Sequence, residues 1–263
     1  MLRTRVIPAL LLHGKSLVKT ERFGKYQYIG DPANTVRIFN ELEVDELSFL
    51  DIKAARTRSG PDFDVLRDIA TECFMPLSYG GGIDSLEMAK RVFDTGFEKI
   101  IVNTAAYVNP NLITEIAQVY GSQAVMVSID VKRGLFGGLH LASGSGRVCQ
   151  KGTASSWSQE MEQRGAGEIL ITSVDREGTW SGFDLDLVKE VSGAVDIPVI
   201  AHGGAGNLSD ITHAVCKAGA SAVAVGSMVV FQKKGMGVLV NFPSPENLAT
   251  VFSEPYYNGQ RTD

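Results

Sequence analysis

The amino-acid sequence predicts an α/β chain folded as a (β/α)8 TIM barrel of two similar half-barrels, on three grounds. Short apolar, β-rich runs alternate with helical patterns, the mark of a parallel sheet covered by helices. Eight such runs fit along 263 residues, and a barrel of this kind takes about 250. A glycine-rich stretch also recurs: SYGGGIDS from Ser78, a helix and EKIIVNTAA are echoed from Ala201 by AHGGAGNL, a helix and SAVAVGSMV. Gly80 to Asn103 spans 23 residues, as does Gly203 to Gly226. A doubly wound sheet accounts for the alternation but not for this symmetry.

The strands are predicted at Arg5–Leu10, Glu46–Ile52, Met75–Ser78, Lys99–Asn103, Ala124–Asp130, Glu168–Thr172, Pro198–Ala201 and Ala222–Gly226. The helices between them are predicted at Pro32–Leu42, Phe63–Thr71, Ser85–Thr95, Pro110–Tyr120, Ser155–Arg164, Leu185–Ser192 and Leu208–Ala218. Asp31-Pro32 and Asn109-Pro110 each set a capping residue before a proline at the first helical position, where its missing N–H costs nothing. Gly96, Gly121, Gly165 and Gly219 fall where helices should stop. Lys132–Thr153 is glycine-rich and alternates in its middle, so a small hairpin is expected after the fifth strand, long enough to reach over the barrel mouth. The barrel domain is expected to span residues 1–242. Residues 243–263 then form a C-terminal tail, with a short helix at best before PYYNGQRTD, whose tyrosines have the option of packing under the barrel.

Hydrophobic residues make up 44% of the chain and charged residues 21%, enough for a sizeable core without staples. A net charge of -5 argues against non-specific nucleic-acid binding, which needs a concentrated positive surface. The opening MLRTRVIPALLL is too short for a signal sequence and reads as a buried strand from Val6. No stretch approaches the roughly 20 apolar residues of a membrane span. Cys73, Cys149 and Cys216 are scattered and odd in number, which points to reduced thiols and a cytoplasmic location.

Two glycine turns carry the strongest chemical signal. Exposed backbone N–H groups at such a turn, leading into a helix N-terminus, bind anions. Gly81, Gly82, Asn103 and Thr104 lie at the ends of the third and fourth strands. Gly203, Gly204, Gly206, Gly226 and Ser227 lie at the ends of the seventh and eighth, the usual phosphate position of this fold. A phosphorylated small molecule held at two ends is the expected ligand.

Asp51, Asp130 and Asp175 are placed at or just after strand ends on the same face. Asp130 is the best candidate for proton transfer, because a carboxylate there works as acid or base once burial raises its pKa. Asp51 and Asp175 serve equally well as loop caps or partners of a lysine. Thr172, Ser173, Gly178 and Thr179 are suited to binding hydroxyls or ordering the loop. Lys19 is placed to contact a phosphate or pair with Asp51. His202 is either a donor to a phosphate or a satisfied structural histidine. Overlaying the halves sets Leu11 on Asp130, and a leucine can neither give nor take a proton. The histidines show no metal-ligand spacing, and no metal or organic cofactor is expected. At the opposite end Arg5, Glu46, Lys99 and Glu168 begin four strands and are placed to form a charged ring, with ordinary salt bridges as the plain alternative.

These stretches resemble the HisF family, the cyclase subunit of imidazole glycerol phosphate synthase, over about residues 1–230. The similarity rests on FLDI with Asp51, YGGGI, IVNTAA, the SID of Asp130, EILITSVDREGT, GGAG and VGS. The resemblance implies a HisH-like glutaminase partner beneath the barrel, near Gln123, with ammonia passing a gate at Arg5, Glu46, Lys99 and Glu168 to a substrate bearing two phosphates. It also implies two essential aspartates, of which one is Leu11 here, and a serine where His202 stands. Around Tyr28–Asp51, YIGDP, IFNE and VDEL resemble a HisF2-like branch associated with acetamidino modification of surface sugars. That resemblance implies ammonia delivery to a separate sugar amidotransferase in lipopolysaccharide biosynthesis. Histidine-pathway cyclisation, or a non-catalytic scaffold for the amidotransferase complex, are the alternatives.

Overall fold

A computed structural model describes residues 4–57, 59–134 and 137–253. Its strands, in chain order, are β1 (Arg5–His13), β2 (Ser16–Thr20), β3 (Tyr26–Gly30), β4 (Leu47–Asp51), β5 (Leu77–Gly80), β6 (Lys99–Val102), β7 (Val125–Arg133), β8 (Leu139–Ser143), β9 (Val148–Gln150), β10 (Glu168–Ser173), β11 (Val199–His202) and β12 (Ala222–Val225). The helices are α1 (Pro32–Glu41), α2 (Ala54–Thr57), α3 (Phe63–Glu72), α4 (Leu86–Asp94), α5 (Thr104–Val108), α6 (Asn111–Tyr120), α7 (Ala154–Gln163), α8 (Leu185–Ser192), α9 (Leu208–Ala218), α10 (Ser227–Val230) and α11 (Pro245–Ser253).

Eight of these strands are parallel and close on themselves in the order β1, β4, β5, β6, β7, β10, β11, β12. The register states the geometry. Level partners run from Ile7 through Ala224, His202 and Thr172 to Asp130. They run again from Met126 through Ile101, Gly80 and Leu50 to Leu11. Each half climbs four residues, Met126 to Asp130 and Ile7 to Leu11, and the full circuit climbs the eight of a (β/α)8 barrel. The two halves therefore superpose by hydrogen bonding, with Leu11 at the place of Asp130.

The same register corrects the repeat by one residue. Gly80 is level with Ile101 and His202 with Ala224, so Gly80 corresponds to His202 and Gly81 to Gly203. The one extra residue of the second half falls in the helix, because Gly81 to Gly96 spans 15 residues and Gly203 to Gly219 spans 16.

Burial on both faces explains the near-continuous apolar strands. Ile7, Met126, Leu170 and Ile200 fill the barrel, while Val6, Leu10, Val127 and Ile169 pack outward under the helices. Side-chain caps start the helices: Asp31, Asp62, Ser85, Thr153, Asp184 and Asn207 each accept a first-turn N–H. The Asn109-Pro110 cap is shifted, since Pro110 itself is the N-cap of α6. No helix among the described residues is long and apolar enough to cross a membrane.

Two features go beyond the sequence reading. β1 continues to His13 and turns through Gly14 into the β2–β3 hairpin. Short helices α2, α5 and α10 sit directly after barrel strands, and four or five residues are too few for a helical period to register. The insertion does form a hairpin, β8 on β9 and β8 on β7. Beyond the barrel, α11 packs on α9 with Leu248 buried; the tail from residue 254, with its tyrosines, lies outside the described residues.

Gly204 has φ +111°, and a Cβ there would stand 2.2 Å from the Gly182 carbonyl oxygen. Gly204→Ala is expected to lower unfolding free energy by roughly 1–3 kcal/mol, read from urea denaturation. Gly138→Ala, where the nearest atom would be 3.8 Å away, serves as the near-neutral control. Equal losses in both variants would contradict the steric account.

Candidate active site

The carboxyl ends of the barrel strands open into a cavity of about 650 Å³, within the range of small-molecule sites. Leu11, Leu50, Asp51, Gly81, Gly82, Asn103, Thr104, Asp130, Thr172 and His202 line it. The hairpin tip forms part of its roof: the Gly144 N–H donates to Thr104 Oγ1 at 3.1 Å and the Ser145 hydroxyl to the Ile52 carbonyl at 3.4 Å.

Asp130 points inward from β7 and is 8% exposed. Asn103 Nδ2 donates to its Oδ2 at 3.2 Å. Burial pushes its carboxyl up to about 7 against the pull of hydrogen bonds from Ser128, Thr172 and Asn103. Such a group both takes and gives a proton near neutral pH. Leu11, at the matching place on β1, is buried and apolar, so that place offers no acid–base group.

His202 Nδ1 lies 3.1 Å from Thr172 Oγ1. Burial, aided by the positive charge of Lys19, pushes the imidazole down to about 3, which leaves the ring neutral. Lys19 does not pair with Asp51. It contacts Glu177, a buried carboxylate that also accepts from the Thr20 hydroxyl at 3.0 Å. Burial draws the Lys19 amine down to about 7 against the opposing pull of the Glu21 carboxylate. Its Cε lies against Gly226, where a Cβ would come within 2.8 Å.

Asp51 caps α2, accepting from the backbone N–H groups of Lys53 at 2.8 Å and Ala54 at 2.9 Å. Its carboxyl lies above the usual range because burial outweighs those bonds. Asp175 stands outside the cavity and accepts from the Arg133 N–H at 2.6 Å, tying β7 to the loop after β10. Ser173 is buried, and its carbonyl accepts from Arg176 and Glu177. Thr179 donates to the Arg176 carbonyl at 2.7 Å.

The glycine turns repeat in backbone detail. A Cβ on Gly81 would strike Asp51, and one on Gly203 would strike Ser173, the residue matching Asp51 in the other half. The N-caps of α5 and α10, Asn103 and Gly226, share a conformation near φ -122°, ψ -84° and φ -112°, ψ -85°, and neither provides a side-chain cap. Uncapped first-turn N–H groups of this kind suit an anion. Of Gly203, Gly204, Gly226 and Ser227, none lines the cavity, and Gly226 packs against Lys19. Gly206 contributes differently, because its N–H is taken by the Asp210 carboxylate at 2.8 Å.

At the barrel floor, Arg5 meets Glu46 at 2.7 Å and Glu168 at 2.6 Å, and Lys99 meets Glu168 at 3.1 Å and Glu46 at 3.4 Å. The four close an alternating ring. Among the described residues no group of three histidines, cysteines or carboxylates is placed to hold a metal. Sequence reasoning missed Glu177 and Thr20, while the reach of the hairpin over the mouth was expected. The only local sign of Glu177 was the polar run SVDREGT.

The raised Asp130 carboxyl implies a pH signature. The folded chain holds that proton more tightly than the unfolded chain, whose aspartate titrates near 3.9. Its contribution to stability is therefore full below about pH 4 and is lost as pH rises through about 7. Urea denaturation at intervals across this window should show Asp130→Asn gaining on the parent chain, by up to about 4 kcal/mol. A constant difference would mean that the buried carboxyl is not shifted.

Comparison with known proteins agrees with this geometry. Residues 5–234 match the family model described as histidine biosynthesis protein. A Pseudomonas aeruginosa protein, provisionally named imidazole glycerol phosphate synthase subunit hisF2, is 46% identical over 94% of this chain and 99% of its own. A Vibrio vulnificus protein, provisionally named subunit hisF3 of the same synthase, is 42% identical over 93% and 95%. The imidazole glycerol phosphate synthase subunit HisF of Alkaliphilus metalliredigens is 40% identical over 87% and 90%. The expected role in acetamidino sugar modification is thereby corrected: the family model is one of histidine biosynthesis, and these relatives carry synthase names, none naming a sugar. The motifs YIGDP, IFNE and VDEL do not carry a pathway. On the span of the family model and the identity of these relatives, the chain belongs to the HisF, imidazole glycerol phosphate synthase family.

Proposed function

We propose that this chain is the cyclase-type subunit of an imidazole glycerol phosphate synthase, joining ammonia to a phosphorylated nucleotide substrate in histidine biosynthesis. The observation that carries the reading is Asp130, buried with its carboxyl raised to about 7 in a cavity bounded by a glycine turn and an uncapped helix start. The turn at Gly81 and Gly82, with Asn103 and Thr104, holds one phosphate end. Gly203, Gly204, Gly226 and Ser227 hold the other, with Lys19 packed against Gly226. Pinning both ends fixes the reacting centre over Asp130, and such positioning supplies a large part of a rate enhancement.

Ammonia arrives from a HisH-like glutaminase docked against the floor. The ring of Arg5, Glu46, Lys99 and Glu168 is its gate, and the apolar side chains above the ring favour neutral ammonia over ammonium. The family match supports this partner. A cytoplasmic location suits a chain in which no disulfide joins the three cysteines. With Leu11 in place of a second carboxylate, proton transfer rests on Asp130 alone, so turnover is expected to be slow.

Cyclisation of the histidine-pathway ribulosyl nucleotide by the purified chain in excess ammonium tests this. Asp130→Ala should lower the rate by about 10²–10⁴-fold, the usual share of a general acid–base. Leu11→Asp should raise it. Absence of turnover in folded parent chain that still binds the nucleotide would remove the cyclase assignment.

A further inference from the structure

Thr172 Oγ1 lies between two groups that compete for one hydrogen. On the neighbouring strand, its level partner in register is Asp130, whose carboxyl a hydrogen bond from the Thr172 side chain draws downward. On the other neighbour, also level, is His202 Nδ1 at 3.1 Å. A threonine hydroxyl has a single proton to donate. When it goes to an ionised Asp130, the contact with His202 must be made by an Nδ1–H donating to Oγ1, leaving Nε2 bare. When Asp130 carries its own proton and donates to Oγ1, the Thr172 hydroxyl turns to Nδ1, and the ring proton sits on Nε2. The two protonation states of Asp130 thus select opposite tautomers of His202.

We propose that His202, through Thr172, relays a proton between the cavity and Asp130, its ring exchanging tautomer at each passage. A proton taken up at Nε2 releases the Nδ1 proton to Thr172 Oγ1, and the original Thr172 proton passes to the Asp130 carboxylate. Two bonds break, Nδ1–H and Oγ1–H. Three form, at Nε2, Oγ1 and the carboxylate, so one proton enters and one resides on Asp130. The imidazole never holds a net charge, in keeping with the depression of its basicity by burial and by Lys19. A serine in place of His202 has one oxygen in place of two separated nitrogens and cannot span the same distance. His202 lines the cavity, so the outer end of the relay opens on the site.

The other titratable groups near the three residues are few. Lys19 of β2, in contact with Glu177 of the loop after β10, is on the His202 side. Tyr107 of α5 is on the Asp130 side, its phenol raised by burial and by that carboxylate. The level neighbour of His202 on β12 is the apolar Ala224. His202 is accordingly a positioning residue that acts through Thr172 on the reacting carboxylate.

The relay deepens the proposed cyclase reading and rests on it only for the reaction it serves; its test uses no substrate, so the two fail separately. The ¹⁵N-labelled full chain is followed by long-range ¹H–¹⁵N spectra from about pH 5 to about pH 9, spanning the unperturbed histidine range. The His202 ring is assigned by its loss in His202→Gln. The Asp130 carboxyl carbon is followed in parallel. The expected result is an Nε2–H tautomer at low pH and an Nδ1–H tautomer at high pH, exchanging with the Asp130 midpoint, and a single tautomer throughout in Asp130→Ala. A His202 ring that keeps one tautomer across the Asp130 titration, gains both protons, or still switches in Asp130→Ala would overturn the relay.

Discussion

Because β7 pairs with β10 and β12 with β1, the eight parallel strands close on themselves, and that closure sets the positions in the mouth. A climb of four residues per half leaves Leu11 and Asp130 at matching places at the top of the barrel interior. It also leaves Thr172 level with both Asp130 and His202. Side chains alternate across a strand, so a slip of one residue would turn Asp130 outward under the helices and replace it with an isoleucine or a valine. The polar cluster exists because the register holds.

Within that frame the two halves keep one backbone and divide the chemistry. The glycine turns, the helix starts at Asn103 and Gly226, and the steric contacts of Gly81 and Gly203 are duplicated. The side chains between them are not. One half presents Leu11 and Leu50; the other presents Asp130, Thr172 and His202. In the proposed reaction, anchoring depends on backbone N–H groups and survives side-chain change, whereas proton transfer depends on single carboxylates and does not. The consequence is a symmetric pair of glycine turns around an asymmetric set of side chains.

Burial gives this centre its reactivity and also its cost. Asp130 is raised because desolvation outweighs three hydrogen bonds, and His202 is lowered by the same cause acting on the opposite charge. Lys19, equally buried, is countered by Glu177 in direct contact. Charges of both signs thus sit near the cavity. One pair is matched, and one carboxyl is left poised near neutrality.

Much of this was legible in the residues. The eight strands, most helix caps, the hairpin and the ring of Arg5, Glu46, Lys99 and Glu168 follow from apolar period, capping types and charged residues at strand starts. Asp130 and Leu11 could be paired by overlaying IPALLLHG on SIDVKRG. The sugar pathway could not be read this way, since short similar stretches carry fold and ligand geometry rather than the identity of a product. The one-residue error in the repeat arose because glycines were matched to glycines, while hydrogen bonding matches Gly80 to His202.

The sequence by itself determined the alternation of elements, their caps and the two glycine turns, because these depend on neighbours within a few positions along the chain. Only the tertiary structure decided that Lys19 meets Glu177, that Asp51 caps a helix, that Gly206 is occupied by Asp210, and that Thr172 bridges Asp130 and His202. Apart from the two local caps, these contacts join residues far apart in sequence. Which of several polar groups a buried donor meets is set by strand register and barrel closure, and neither is written in any local stretch of residues.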